Sequence, residues 1–97
     1  MTPLPVLTAL ADPTRLRAVV ILAGGDEHCV CELMQLLDVT QSRMSRHMHH
    51  LKQAGLVVDR RDAQWVRYRL NPDMPAPIRA IVDAVLAACQ VTERSAA

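Results

Sequence analysis

Cys29 and Cys31 stand one residue apart, with His28 and Glu32 on either side, and they are the residues best suited to soft-ligand chemistry. Thiolates select thiophilic centres over magnesium or calcium. Leu33, Leu36 and Leu37 set an apolar stripe for a helix from about Val30 to Leu37, which puts Cys29 near its N-cap and Glu32 near N3. That arrangement is a capping box with sulfur in place of oxygen. A helix N-terminus favours anions, so both sulfurs are better thiolates there than in isolation. On a regular helix, residues i and i+2 point about 200° apart. Chelation of one centre by both sulfurs therefore predicts non-helical backbone at Cys29 and a distorted first turn. A disulfide between such near neighbours is expected to be strained and ranks lower. A structural zinc site needs two further ligands, and no second CxxC or paired histidine supplies them. Cys89 reads first as a core residue of the last helix and only second as a further sulfur ligand.

The next element is polar on one face. Thr40 is placed as an N-cap whose hydroxyl accepts from the backbone. Met44, Met48 and Leu51 share one side of the helix that follows, and Gly55 ends it in the left-handed position. The other side carries Gln41, Ser42, Arg43, Ser45, Arg46, His49 and Lys52, and no acid occurs between Val39 and Val58. A merely solvated face mixes its signs, so this one reads as a groove-facing surface. His47, His49 and His50 are read as groove-facing or solvated rather than as metal ligands. Two short helices joined through Asp38 and Val39 make a helix-turn-helix.

A strand from Leu56 to Arg61, a tip at Asp62-Ala63-Gln64 and the strict alternation from Trp65 to Leu70 then predict a hairpin. Placed after a recognition helix, it is a two-stranded wing. Its Arg60, Arg61, Arg67 and Arg69 are expected at phosphates or a minor groove.

Upstream, Pro3 to Ala11 is a short apolar helix. Asp12 and Pro13 are N-cap and N1 of a second, with Leu16, Val19, Val20 and Leu22 or Ala23 inward and Arg15 and Arg17 elsewhere. Gly24 and Gly25 end it. Downstream, a proline-rich joint leads to a final helix from Ile78 to about Thr92, striped by Ile78, Ile81, Val82, Val85, Leu86 and Cys89.

With 97 residues and no Phe, the chain is read as one small domain with an aliphatic core, helped by burial against a second copy. The fold expected is mainly α with a small β-hairpin: a winged helix-turn-helix of about five helices. A net charge of +1 says little about nucleic acid. The clustering of the basic residues between Thr40 and Leu70 says more. No apolar run follows a basic start, and none is long enough to span a membrane, so a reducing cytoplasm and free thiols are expected. No Gly-rich phosphate loop or nucleophile elbow points to an enzyme. A helical adaptor that binds protein through its last helix is a further class, separable by a mobility-shift assay.

These residues carry a resemblance over nearly the whole chain. LADPTRLR, CVCEL, QSRMSRHMHHLKQAGLV and WVRYRLNP resemble the ArsR/SmtB family of winged-helix metalloregulators, most closely its arsenic-responsive branch. The resemblance implies a homodimer built on the first and last helices. It also implies repression of a metal-resistance operon at double-stranded operator DNA, relieved by inducer. The family's arsenite motif resembles Cys-Val-Cys-acid-Leu-Cys. Cys29 and Cys31 match it, but Met34 stands at the third cysteine, and a thioether does not replace a thiolate. No cysteine precedes Cys29 as in cadmium and lead sensors, and the last helix has no histidine as in zinc sensors. The expectation is therefore a repressor released by trivalent arsenic or antimony, as arsenite, antimonite or methylarsenite, on Cys29 and Cys31. A small thiol, hydroxide, a methyl carbon or Cys89 completes the coordination. The alternative is a thiol-redox or other soft-metal repressor.

Overall fold

The computed structural model describes residues 2–96, with side chains for residues 2–90. Among these, five helices and three strands follow one another: α1 (Leu4–Leu10), α2 (Pro13–Leu22), β1 (His28–Cys29), α3 (Val30–Leu37), α4 (Gln41–Gln53), β2 (Val57–Asp62), β3 (Trp65–Leu70) and α5 (Ala76–Ala96). The expected winged helix-turn-helix is present, with its two-stranded wing, β2 and β3. A short third strand joins that hairpin, in the order β1-β3-β2. His28 pairs with Tyr68 and Cys29 with Arg67, both antiparallel.

Local chemistry explains the boundaries. The Asp12 carboxylate accepts from the Arg15 N–H at 2.9 Å, and Pro13 occupies N1 of α2. The α4 terminus is a Schellman turn. Gly55 at φ +81° donates to the Lys52 carbonyl at 3.0 Å, and the Leu56 N–H reaches the Leu51 carbonyl at 3.0 Å. The helix-turn-helix corner is made by Asp38, which is left-handed at φ 55°. Thr40 has the extended backbone of an N-cap, φ −66° and ψ 158°, but its hydroxyl makes no capping hydrogen bond. Its cap role is one of backbone shape alone.

The core is aliphatic, as the composition requires. Val19 and Leu22 of α2, Leu33 of α3, Met44, Met48 and Leu51 of α4, Leu56, Val57 of β2 and Val82 of α5 are each almost wholly buried. Burying one such side chain stabilises the fold by roughly 1.5–3 kcal/mol. Leu36 departs from expectation. It is 55% exposed, since Leu33 and Leu37 already fill the inward face of a two-turn helix. On α5, Ile78 and Val82 reach the core, while Ile81, Val85 and Leu86 lie half-buried beside it.

Candidate thiol site and nucleic-acid face

Cys29 is buried and Cys31 half-buried, and their sulfurs are joined as a disulfide. The non-helical backbone expected at Cys29 is present, and the first turn of α3 is regular beside it. Cys29 is the N-cap of α3, with φ −79° and ψ 162°, so its side chain does not follow the helical 100° step. The Cα atoms lie 5.4 Å apart, inside the usual range for bridged cysteines. Convergence of the two sulfurs thus needs no unwinding of the first turn of α3.

Glu32 ties this site together. Its carboxylate accepts from the Cys29 N–H at 3.3 Å and meets His28 Nδ1 at 3.1 Å. Arg67 of β3 approaches it at 3.8 Å. The backbone hydrogen bond from Cys29, then His28 and Arg67, holds the Glu32 carboxyl below its ordinary range against the opposing effect of burial. So the cap of α3 and the wing share one carboxylate.

The cysteine pair opens into a cleft of about 360 Å³ between three elements. Cys29 comes from the end of β1, α3 contributes Cys31 and Met34, α4 contributes Gln41 and Ser45, and β3 contributes Trp65, Val66 and Tyr68. Burial pushes the Tyr68 phenol above its ordinary value, which keeps it neutral. Cys89 is not brought to this cleft. It lines a separate groove with Leu36 and Leu37, at the far end of α3. No group of three or more His, Cys, Asp or Glu is arranged for a metal among the described residues. Within one chain, Cys89 thus lies apart from Cys29 and Cys31.

On α4, Gln41, Ser42, Arg43, Ser45, Arg46, His49 and Lys52 are all exposed on the face opposite Met44, Met48 and Leu51. Arg43 and Arg46 make no ion pair among the described residues, whereas Lys52 meets Asp59 at 3.1 Å. His47 is not groove-facing. It lies half-buried, 3.2 Å from Arg15 Nη1 and 3.9 Å from Asp12. Desolvation holds its imidazole below the ordinary value, with Arg15, Arg43 and Arg46 acting in the same direction and Asp12 opposing. Arg15 itself is turned inward, donating to the Ala9 and Thr8 carbonyls at 2.7 and 3.3 Å. It joins α1, α2 and α4, a role that sequence spacing could not show because His47 lies far along the chain.

The wing arginines divide into two sets. Arg60 and Arg67 face each other in the β2–β3 register, a repulsive pairing on its own. Each is matched by acid. Arg60 grips Glu27 with two nitrogens at 2.8 Å, and Arg67 meets Asp62 at 3.0 Å. Arg61 and Arg69 are exposed without an ion pair among the described residues.

A profile described as "Bacterial regulatory protein, arsR family" matches residues 12–58. The chain is 44% identical to the arsenic resistance transcriptional regulator ArsR1 of Pseudomonas putida, over 87% of this chain and 69% of that one. The chain belongs to the arsR family. Solved structures agree with that placement. HlyU from Vibrio cholerae superposes with a TM-score of 0.72 at 32% identity, covering 84% of this chain and 85% of its own. The homodimeric winged helix-turn-helix domain of Mb0332 from Mycobacterium bovis, itself a possible ArsR-family regulator, gives 0.70 at 28% identity, covering 93% and 76%. Within this arsR-family chain the helix-turn-helix is α3 and α4, and the wing is β2 and β3. The family is one of transcriptional regulators, and no helix among the described residues is long and apolar enough to cross a membrane.

Proposed function

We propose that the chain is a cytoplasmic, homodimeric repressor of a metalloid-resistance operon, released from operator DNA when trivalent arsenic or antimony binds Cys29 and Cys31. All 97 residues act as one winged helix-turn-helix domain with dimerising terminal helices. The observation that carries the reading is the position of the cysteine pair. It caps the helix packed on α4, and its first residue is hydrogen-bonded in register with the wing strand. In the reduced form the pair offers two convergent thiolates, and the naming of relatives such as the Pseudomonas putida regulator supports arsenic as the soft centre.

Gln41, Ser42, Arg43, Ser45, Arg46 and His49 are assigned to the groove, and Arg61 and Arg69 to phosphates. Lys52, Arg60 and Arg67 must first leave their carboxylates to join them. Ile81, Val85 and Leu86 form an apolar strip on α5 that its own core leaves half exposed, which suits a second copy. Turning an operator from 99:1 bound to 1:99 requires the inducer to prefer the released form by about 5.5 kcal/mol. The test is fluorescence anisotropy of labelled operator with the reduced protein, titrated with arsenite, antimonite, cadmium and zinc. Release by the first two alone is expected, and full release of a Cys29→Ser, Cys31→Ser double variant by arsenite ends the reading.

One observation favours a second reading, a thiol-redox repressor: the two sulfurs are found joined. Diamide oxidation of the DNA-bound protein separates the two. Release by diamide with no release by arsenite selects the redox sensor.

A further inference from the structure

We propose that Glu27 is an internal stand-in for DNA phosphate: it holds Arg60 in the free chain and keeps the wing's affinity for the DNA backbone below what its arginines alone would give. This rests on the DNA-binding reading above and assigns a residue outside both the cysteine site and the polar face of α4.

Arg60, Arg67 and Arg69 share one face of the β2–β3 hairpin. Arg60 stands opposite Arg67 in the register, and Arg69 follows Arg67 by two residues. Three guanidinium groups on one face make a seat for an anion, and the chain supplies one itself. Glu27 lies between α2 and β1, and its carboxylate accepts from Nε and Nη2 of Arg60, each at 2.8 Å. The hydrogen bonds from Arg60 hold the Glu27 carboxyl below its ordinary range against desolvation, and the charges of Arg60, Arg69 and Arg67 act in the same direction. The carboxylate thus sits in the field that a backbone phosphate would meet.

The pair is not there to satisfy a buried charge. The Arg60 side chain is 54% exposed, and exposed ion pairs contribute little to stability. An arginine fork grips carboxylate and phosphate in the same two-pronged way, so Arg60 cannot serve both at once. The match is also specific to position. Asp26, the preceding residue, is exposed and makes no ion pair among the described residues. DNA binding then exchanges one anion for another at Arg60, and the Glu27 contact is lost from every complex whatever its sequence. Operator and random DNA are weakened alike.

The experiment uses the full chain and two labelled duplexes of equal length, operator and random sequence, read by anisotropy. Glu27→Gln is expected to tighten binding to both by about three- to tenfold, the scale of one phosphate contact. Asp26→Asn removes the same charge one residue away and should gain less than about twofold, since exposed charges are screened by salt. In an Arg60→Ala background, Glu27→Gln should gain no more than Asp26→Asn does, because no arginine is left to release. Urea midpoints should not move between wild type and Glu27→Gln. Unchanged or weaker binding by Glu27→Gln overturns the proposal, the weaker case making Glu27 a support that aims Arg60 at DNA. An equal gain from Asp26→Asn, or a gain that persists in full without Arg60, reduces the effect to net charge and overturns it too. A wild-type chain that binds neither duplex overturns the DNA-binding reading itself.

Discussion

Cys29 and Arg67 lie directly opposite each other across the β1–β3 ladder, and Glu32 touches both. The thiol site is thus fastened to the wing by backbone pairing and by one shared carboxylate. A change at Cys29 has two routes outward: through α3 to α4, and through β1 to β3. Glu32→Gln tests the second. It should leave ligand binding to the cysteines within about twofold and weaken operator release several-fold, since the longer of the two carboxylate contacts of Arg67 is gone, Asp62 at 3.0 Å remaining, while the amide can still cap Cys29. Equal losses of binding and release would show that Glu32 acts only on the site itself.

The face of α4 and the free wing arginines should separate in their effects on DNA. Arg46→Ala is expected to reduce affinity and relax sequence preference together, by about 1–3 kcal/mol at the base it reads. Arg61→Ala and Arg69→Ala should weaken all sequences alike and flatten the salt dependence by about one unit of slope for each lost phosphate contact. Mobility shifts over a salt series with two operators decide it. An Arg46→Ala variant that keeps both affinity and preference removes α4 from the groove.

Cysteine substitutions divide the switch from the core. Cys29→Ser and Cys31→Ser should each keep DNA binding and lose release by trivalent arsenic, because hydroxyls do not bind a soft centre at neutral pH. Cys89→Ser should respond normally and lose at most about 1 kcal/mol of stability, as a half-buried residue in another groove. Met34→Cys should strengthen the arsenite response, since a third sulfur then lines the same cleft.

Assembly is read by sedimentation. A twofold pair places the two recognition helices about one DNA turn apart, near 34 Å, and calls for an inverted-repeat operator. Leu86→Asp, on the half-exposed stripe of α5, should give a monomer that no longer shifts DNA. Wild-type protein that sediments as a monomer at about micromolar concentration would contradict the dimer, since stable interfaces hold at such concentrations.

Stability should fall on mild acidification through His47. Its folded value lies below the ordinary 6.5, chiefly because burial disfavours the cation. Above 6.5 the ring is neutral in both states and its contribution is fully present. As the pH drops below 6.5 the unfolded ring binds a proton that the folded ring refuses, and stability is lost down to the folded value. Urea midpoints should therefore decline between about pH 7.5 and pH 5.5, and His47→Gln should flatten that decline. An unchanged slope in His47→Gln assigns the loss to other groups.

The helices were legible because their ends are written in side chains: Asp12 and Pro13 open α2, Gly25 and Gly55 sit at positive φ, and Met44, Met48 and Leu51 mark one face. The wing was legible from the alternation of Trp65 to Leu70. β1 was not, because two residues have no period and their pairing with Tyr68 and Arg67 is made by backbone alone. The inward turn of Arg15 depends on Ala9, Thr8 and His47, which only tertiary packing brings near. The approach of the two sulfurs followed from the extended backbone at the cap. The sequence pointed to that non-helical cap, but not to the regular first turn of α3 beside it.

Asp38 has a consequence for engineering. The corner between α3 and α4 contains one residue in the left-handed region, Asp38 at φ 55°, where aspartate is tolerated and β-branched residues are not. It lines neither the cleft nor the polar face of α4. Position 38 is therefore a tuning screw for a whole-cell biosensor. Glycine there relaxes the corner and asparagine holds it, and the two should differ in background leak while the dose at half-response stays with the cysteines.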